Sequence, residues 1–180
     1  MKYCRSLRFA GFFAAFLFPA LAIAQTISIS GSEPALLQLG AGDYNLLRFH
    51  SDPPTSTVFR GEYRFASQFF YLHPVIGAEG NTRGGVYGYG GVALNIFLFD
   101  RHLVLTPEEA FGGWSQGSDQ NKNLGSTFEI RSGAELDYRF DDGARAGVSF
   151  DHISNAGVSH RNPGVEEVLA VLSIPLAGMP

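Results

Sequence analysis

The stretch Ala146–Ser154 reads AGVSFDHIS and ends on a histidine and a serine two residues apart. Side chains at i and i+2 of an extended strand share a face, so His152 and Ser154 would stand side by side. A base within reach of a hydroxyl is the minimum for an activated serine nucleophile. His-x-Ser is a common tripeptide and means little alone, because an acid must also orient the imidazole and stabilise its protonated form. The next apolar stretch, VEEVLAVLSIPL, offers Glu166 and Glu167. Glu166 is in phase with Val168, Ala170, Leu172, Ile174 and Leu176, as His152 and Ser154 are with Ala146, Val148 and Phe150. Glu167 alternates onto the other face with Leu169, Val171 and Ser173. If the two stretches pair antiparallel with their apolar faces on one surface, Glu166 is the acid that meets His152. Acyl transfer further needs donors for a developing oxyanion. Asn155, Gly157, which permits a tight backbone, and Asn162 lie in the connecting loop and are the candidates.

What these groups can do depends on where their face lies. A chain of 180 residues is long enough for one domain with a full core. Its start reads as a secretory signal peptide over residues 1–24. Lys2, Arg5 and Arg8 precede the apolar run FAGFFAAFLFPALAI, and small residues at Ala22 and Ala24 place cleavage before Gln25. Cleavage removes Cys4, the sole cysteine, so the exported domain, residues 25–180, carries no disulfide. Net charge is −4 with no basic run, which argues against nucleic acid as a partner. No apolar stretch after residue 24 approaches the length of a membrane helix. An exported, Gly- and Phe-rich chain with little helical periodicity points to an all-β, eight-stranded antiparallel transmembrane barrel in a bacterial outer membrane.

Such a barrel alternates apolar outward and polar inward along each strand. TFEIRSGAELDYRF does so best. Phe128, Ile130, Ala134, Leu136, Tyr138 and Phe140 share one face, interrupted only by Ser132, while Glu129, Arg131, Glu135, Asp137 and Arg139 share the other. A row of mixed charges suits a packed, salt-bridged lumen. Arg60, Glu62 and Arg64 alternate likewise with Phe59, Tyr63 and Phe65. Eight strands are expected, at about 35–43, 57–66, 69–79, 85–98, 102–114, 124–140, 144–154 and 165–176. Pro74 and Pro107 fall inside two of them and weaken those assignments. ASQ, DR and DDG read as tight turns, whereas 44–56, 80–84, 115–123 and 155–164 are longer. Short turns face the periplasm in such barrels, so the seventh strand runs outward and ends with His152 and Ser154 near the outer-leaflet boundary. GGVYGYGG alternates with tyrosines and precedes no helix, so it is not a nucleotide loop. His50, His73, His102 and His160 are scattered without metal-ligand spacing, so neither a metal nor another cofactor is expected. Trp114, Tyr138 and Phe140 are expected in interfacial aromatic girdles.

The residues HISNAG, followed by NPGVE and a last strand ending SIPL, resemble the outer-membrane lipid A 3-O-deacylases (the PagL family). The stretch 123–157 looks like that family's sixth and seventh strands. The resemblance implies a serine esterase that hydrolyses the ester-linked 3-hydroxyacyl chain at the 3-position of lipid A in the outer leaflet, without a cofactor. It places base and nucleophile on His152 and Ser154, the acid on Glu166, and oxyanion or supporting roles on Asn155, Gly157 and Asn162. Lipid A and membrane lipid are the implied partners, and a homodimer is compatible with the sequence. Residues 26–57 have no clear family counterpart, and the chain ends LAGMP instead of on a terminal aromatic. A non-catalytic adhesin or structural barrel, and a phospholipase on the same scaffold, are the competing readings.

Overall fold

The structure is a computed structural model, described here over residues 27–29, 33–48 and 52–176. The expected leader, 1–24, and His50 lie outside the described residues. Alternation produces nine strand segments: β1 (Ala35–Tyr44), β2 (Ser56–Arg64), β3 (Leu72–Asn81), β4 (Val86–Leu94), β5 (Ile96–Leu98), β6 (Leu103–Ser115), β7 (Phe128–Arg139), β8 (Arg145–Ser154) and β9 (Val165–Leu176). Pairings are antiparallel, and contacts of β1 with β9 and of β4 with β6 close the sheet on itself.

β4 and β5 are one stave. Both pair with β6 in a single register, Val86↔Ser115 through Ala93↔Glu108 and on to Ile96↔Leu105. The interruption, at Asn95, lies across from Thr106 and beside Pro107, which has no N–H to give to the ladder. Asn95, in the interruption, turns inward, and its Oδ1 accepts from Thr106 and from Arg145, each at 3.1 Å. The fold is thus the expected eight-stranded antiparallel barrel, with the seventh and eighth staves formed by β8 and β9. Pro74 and Pro107 both remain within strands, β3 and β6.

The two faces of the staves separate as the alternation requires. Leu39, Phe59, Ile76, Phe111, Leu136, Phe150 and Leu172 are exposed on the outer wall. Arg60, Glu62, Arg64, Glu79, Arg131, Glu135, Asp151 and Glu167 are buried inside. Burial of so many charges is tolerable only when they are paired. Arg60 reaches Glu79 at 2.9 Å, Asp151 at 2.9 Å and Glu167 at 3.1 Å. Arg131 pairs with Glu108, with Glu62 at 3.0 Å and with Asp151 at 3.6 Å, and its guanidinium lies 4.1 Å from the Tyr89 ring centroid. Trp114 corrects one expectation. Along β6 the inward positions are the even ones, so Trp114 is buried and stacks on Tyr44 with centroids 5.7 Å apart, instead of joining an outer girdle.

The longer connectors, 45–55, 82–85, 116–127 and 155–164, gather at one end of the barrel and are tied together. Lys122 Nζ donates to Asp52 at 2.9 Å and to Asn45 at 3.1 Å. The Ser159 hydroxyl donates to the Gly125 carbonyl at 2.9 Å, which joins the loop before β7 to the loop after β8.

Candidate active site

β8 and β9 pair from Arg145↔Ser173 through Ile153↔Val165, a register that places His152 directly opposite Glu166. Sequence parity selects the face, and the hairpin register supplies the contact. His152 Nδ1 lies 3.2 Å from Glu166 Oε1, on the outer wall, with the two side chains 45% and 21% exposed. A carboxylate on Nδ1 holds the hydrogen there and leaves Nε2 as the basic nitrogen. Ser154 follows on the same face, half-buried, with Ile130 as its neighbour on β7. The backbone of Glu166 is itself pinned, its carbonyl accepting from Leu46 N–H at 3.0 Å. Glu167, one residue on, points the other way. It is fully buried in the lumen against Arg60.

The loop beyond Ser154 is organised by Asn155, which is fully buried. Its Nδ2 donates to the carbonyls of Leu124 at 3.0 Å and Arg161 at 2.9 Å. Its Oδ1 accepts from the backbone N–H of Gly157 at 3.1 Å and of Ser159 at 3.4 Å. The Asn155 amide is therefore fully engaged in holding the loop, and the Gly157 N–H is engaged with it. Ala156 (φ 51°) and Gly157 (φ 80°) are successive left-handed residues that turn the chain sharply after β8. Asn162 folds back, and its Oδ1 accepts from Asn155 N–H at 3.0 Å. Its Nδ2 has no partner among the described residues.

Sequence reasoning missed Gly164. Its φ is +60°, and a Cβ built on it would lie 2.6 Å from His152 Cε1 and 3.1 Å from Nε2. The backbone of residue 164 thus forms the surface against which the imidazole rests. The Pro163-Gly164 pair was legible as a turn signal, but nothing in it indicated contact with the histidine. Gly164→Ala is expected to strain the turn and displace the ring. A misplacement near 1 Å costs about 10²-fold in rate, so turnover should fall by about that factor while the barrel still folds. Steady-state kinetics beside a heat-modifiability gel checks both halves.

Of the remaining histidines, His73 Nδ1 lies 2.9 Å from the Phe65 carbonyl, His102 stacks on Tyr138, and His160 is exposed in the loop. Among the described residues no group of three or more His, Cys, Asp or Glu converges as metal ligands would.

A closed barrel of eight strands, with a charged interior and an apolar wall, defines an integral outer-membrane protein. Among solved structures the fold is similar to one described as the crystal structure of the outer membrane enzyme PagL. The TM-score is 0.61 at 16% identity, over 78% of this chain and 99% of that one. No curated protein matches the chain in sequence. The sequence model of the lipid A 3-O-deacylase (PagL) family matches residues 55–175, and the chain belongs to that family. Its reaction is accordingly ester hydrolysis, the removal of the acyl chain at the 3-position of lipid A.

Proposed function

We propose that Ser154, His152 and Glu166 carry out this deacylation as nucleophile, base and orienting acid. The hydrogen-bonded His152–Glu166 pair on the outer wall, with Ser154 on the same face, is the observation that carries the assignment. His152 Nε2 takes the Ser154 proton as Oγ attacks the ester carbonyl carbon. The tetrahedral intermediate collapses, the bond to the sugar oxygen breaks, and that oxygen takes the proton back from His152. Water, deprotonated by His152, then attacks the acyl-serine, the bond from the acyl carbon to Ser154 Oγ breaks, Oγ recovers the proton from His152, and a 3-hydroxy fatty acid leaves. Glu166 keeps the hydrogen on Nδ1 and stabilises the imidazolium. Of the three loop candidates for the oxyanion, Asn162 is the one with an amide NH₂ to spare. Asn155 and Gly157 support it by fixing the loop. The long-loop end faces outward, which sets the site at the outer leaflet where lipid A resides. All three triad members come from the β8–β9 hairpin, so the site is complete within one chain and a homodimer is not required.

The test is mass spectrometry of lipid A and phospholipids from a Gram-negative host making the wild-type chain or Ser154→Ala. Loss of one ester-linked 3-hydroxyacyl group with the wild type alone is expected. Equal spectra from both strains would favour a non-catalytic barrel, and loss of phospholipid acyl chains instead would favour a phospholipase. The two neighbouring glutamates give a second check. Glu166→Gln should lower the rate on the order of 10²–10⁴-fold with the fold intact. Glu167→Gln should act on barrel stability, because its partner is Arg60 and not His152.

A further inference from the structure

The outer wall carries a polar pair that the triad does not use. Ser132, the interruption in the apolar face of β7, is the direct cross-strand neighbour of His152. On its other side it faces Glu109 of β6, and the Ser132 hydroxyl donates to Glu109 Oε1 at 3.0 Å. Glu109 and Ser132 thus continue the lateral row begun by Glu166 and His152 across four staves.

The row slopes away from the loops. Glu166 is next to the first residue of β9, Val165, whereas Ser132 is four residues inside the loop end of β7 at Phe128 and Glu109 six inside that of β6 at Ser115. At about 3.3 Å per residue on strands tilted roughly 40°, Glu109 lies about 15 Å below the β6 rim. Apolar residues flank the pair along both strands, Phe111 and Ile130 toward the loops, Pro107 and Ala134 toward the turns. A carboxylate on the lipid side at that depth is costly, and such residues mark function. The bond to Ser132 occupies only one of its oxygens. Glu109 Oε2 has no partner among the described residues.

We infer that Glu109, held by Ser132, binds the 3-hydroxyl of the acyl chain being removed and selects 3-hydroxyacyl esters over unsubstituted ones. This rests on the deacylase reading above. Ser154 pairs with Ile130, so Ser132 is its diagonal neighbour one outward position deeper, at a spacing of about 7–8 Å. An acyl chain whose carbonyl sits at Ser154 and whose tail enters the leaflet carries its 3-hydroxyl toward that position, two carbons beyond the carbonyl. In hydrocarbon that hydroxyl needs a partner. It donates to the open carboxylate oxygen of Glu109, while the Ser132 hydrogen bond fixes the carboxylate. Ser132 does not compete as the nucleophile, since its proton is directed to Glu109 and away from His152.

The experiment measures kcat/KM of the purified, folded barrel in mixed micelles on two synthetic lipid A substrates. They differ only in the 3-O-linked chain, 3-hydroxyacyl or unsubstituted acyl of equal length. The wild type should prefer the hydroxylated ester by about tenfold or more, the scale of one hydrogen bond to a charged group. Glu109→Leu and Ser132→Ala should each bring the ratio close to one, and Ser132→Thr, which keeps a hydroxyl, should restore it. Both positions lie on the outer wall, and a heat-modifiability gel identifies folded protein for every variant. A wild-type ratio near one, or a preference that survives both substitutions, overturns the assignment and leaves the deacylase reading standing. Equal, Ser154-independent rates on both esters would overturn the two together.

Discussion

His152→Ala and Ser154→Ala are each expected to slow lipid A deacylation by on the order of 10⁴-fold or more, and the double variant to be no slower than either single one. The reason is that, in the proposed mechanism, the two groups perform a single act. Without Ser154 no acyl-enzyme forms, and His152 has nothing to deprotonate but water. Without His152 the serine keeps its proton and is a poor nucleophile at neutral pH. Members of a catalytic unit are therefore strongly non-additive, and the residual rate reflects only binding and oxyanion contacts. Both side chains lie on the outer wall and neither belongs to the buried charge network, so the variants should fold like the parent. Single-turnover assays on the purified singles and the double provide the measurement. If the two losses multiplied, His152 and Ser154 would be acting independently, and the shared mechanism would have to be abandoned.

Arg60→Ala is the substitution expected to cost most in stability. Arg60 sits among Glu79, Asp151 and Glu167, all within 3.1 Å and all buried. Removing the cation leaves three carboxylates around a void, and breaking a buried ion pair typically costs about 3–5 kcal/mol. The effect should reach the proposed active site as well. Asp151 precedes His152 and Glu167 follows Glu166, so the staple that Arg60 makes between them on the inside holds in register the pair that meets on the outside. Thermal unfolding followed by gel mobility should show a markedly lower midpoint, with activity lost at temperatures the parent tolerates. Arg60→Lys keeps the charge but loses the fork that bridges three partners, and should fall between. An Arg60→Ala barrel as stable as the parent would mean that the lumen charges are hydrated instead of mutually paired.

The barrel was legible because period-2 alternation is a physical requirement of a wall between lipid and a packed lumen. One strand, Phe128–Arg139, displays it almost without exception. The same rule separates Glu166 from Glu167 without any strand pairing. Register was not legible, because sequence parity cannot say how far one strand slides along the next. The contact at 3.2 Å between His152 and Glu166 needed the hairpin itself. Trp114 was misplaced because the glycines before it blur the alternation of β6. Gly164 was missed because its importance lies in an approach to a side chain twelve residues earlier, which no local pattern records.

The filled lumen has a kinetic consequence. With Arg60, Arg131 and their carboxylates occupying the interior, the barrel offers substrate no route through its centre, and the proposed site is met only from the side. The reaction is then confined to two dimensions. The concentration that governs its rate is the mole fraction of lipid A in the surrounding leaflet, not the amount in bulk solution. Diluting lipid A with an inert detergent or phospholipid at constant total substrate should slow the enzyme in proportion to surface dilution. Doubling substrate and diluent together should leave the rate per enzyme unchanged.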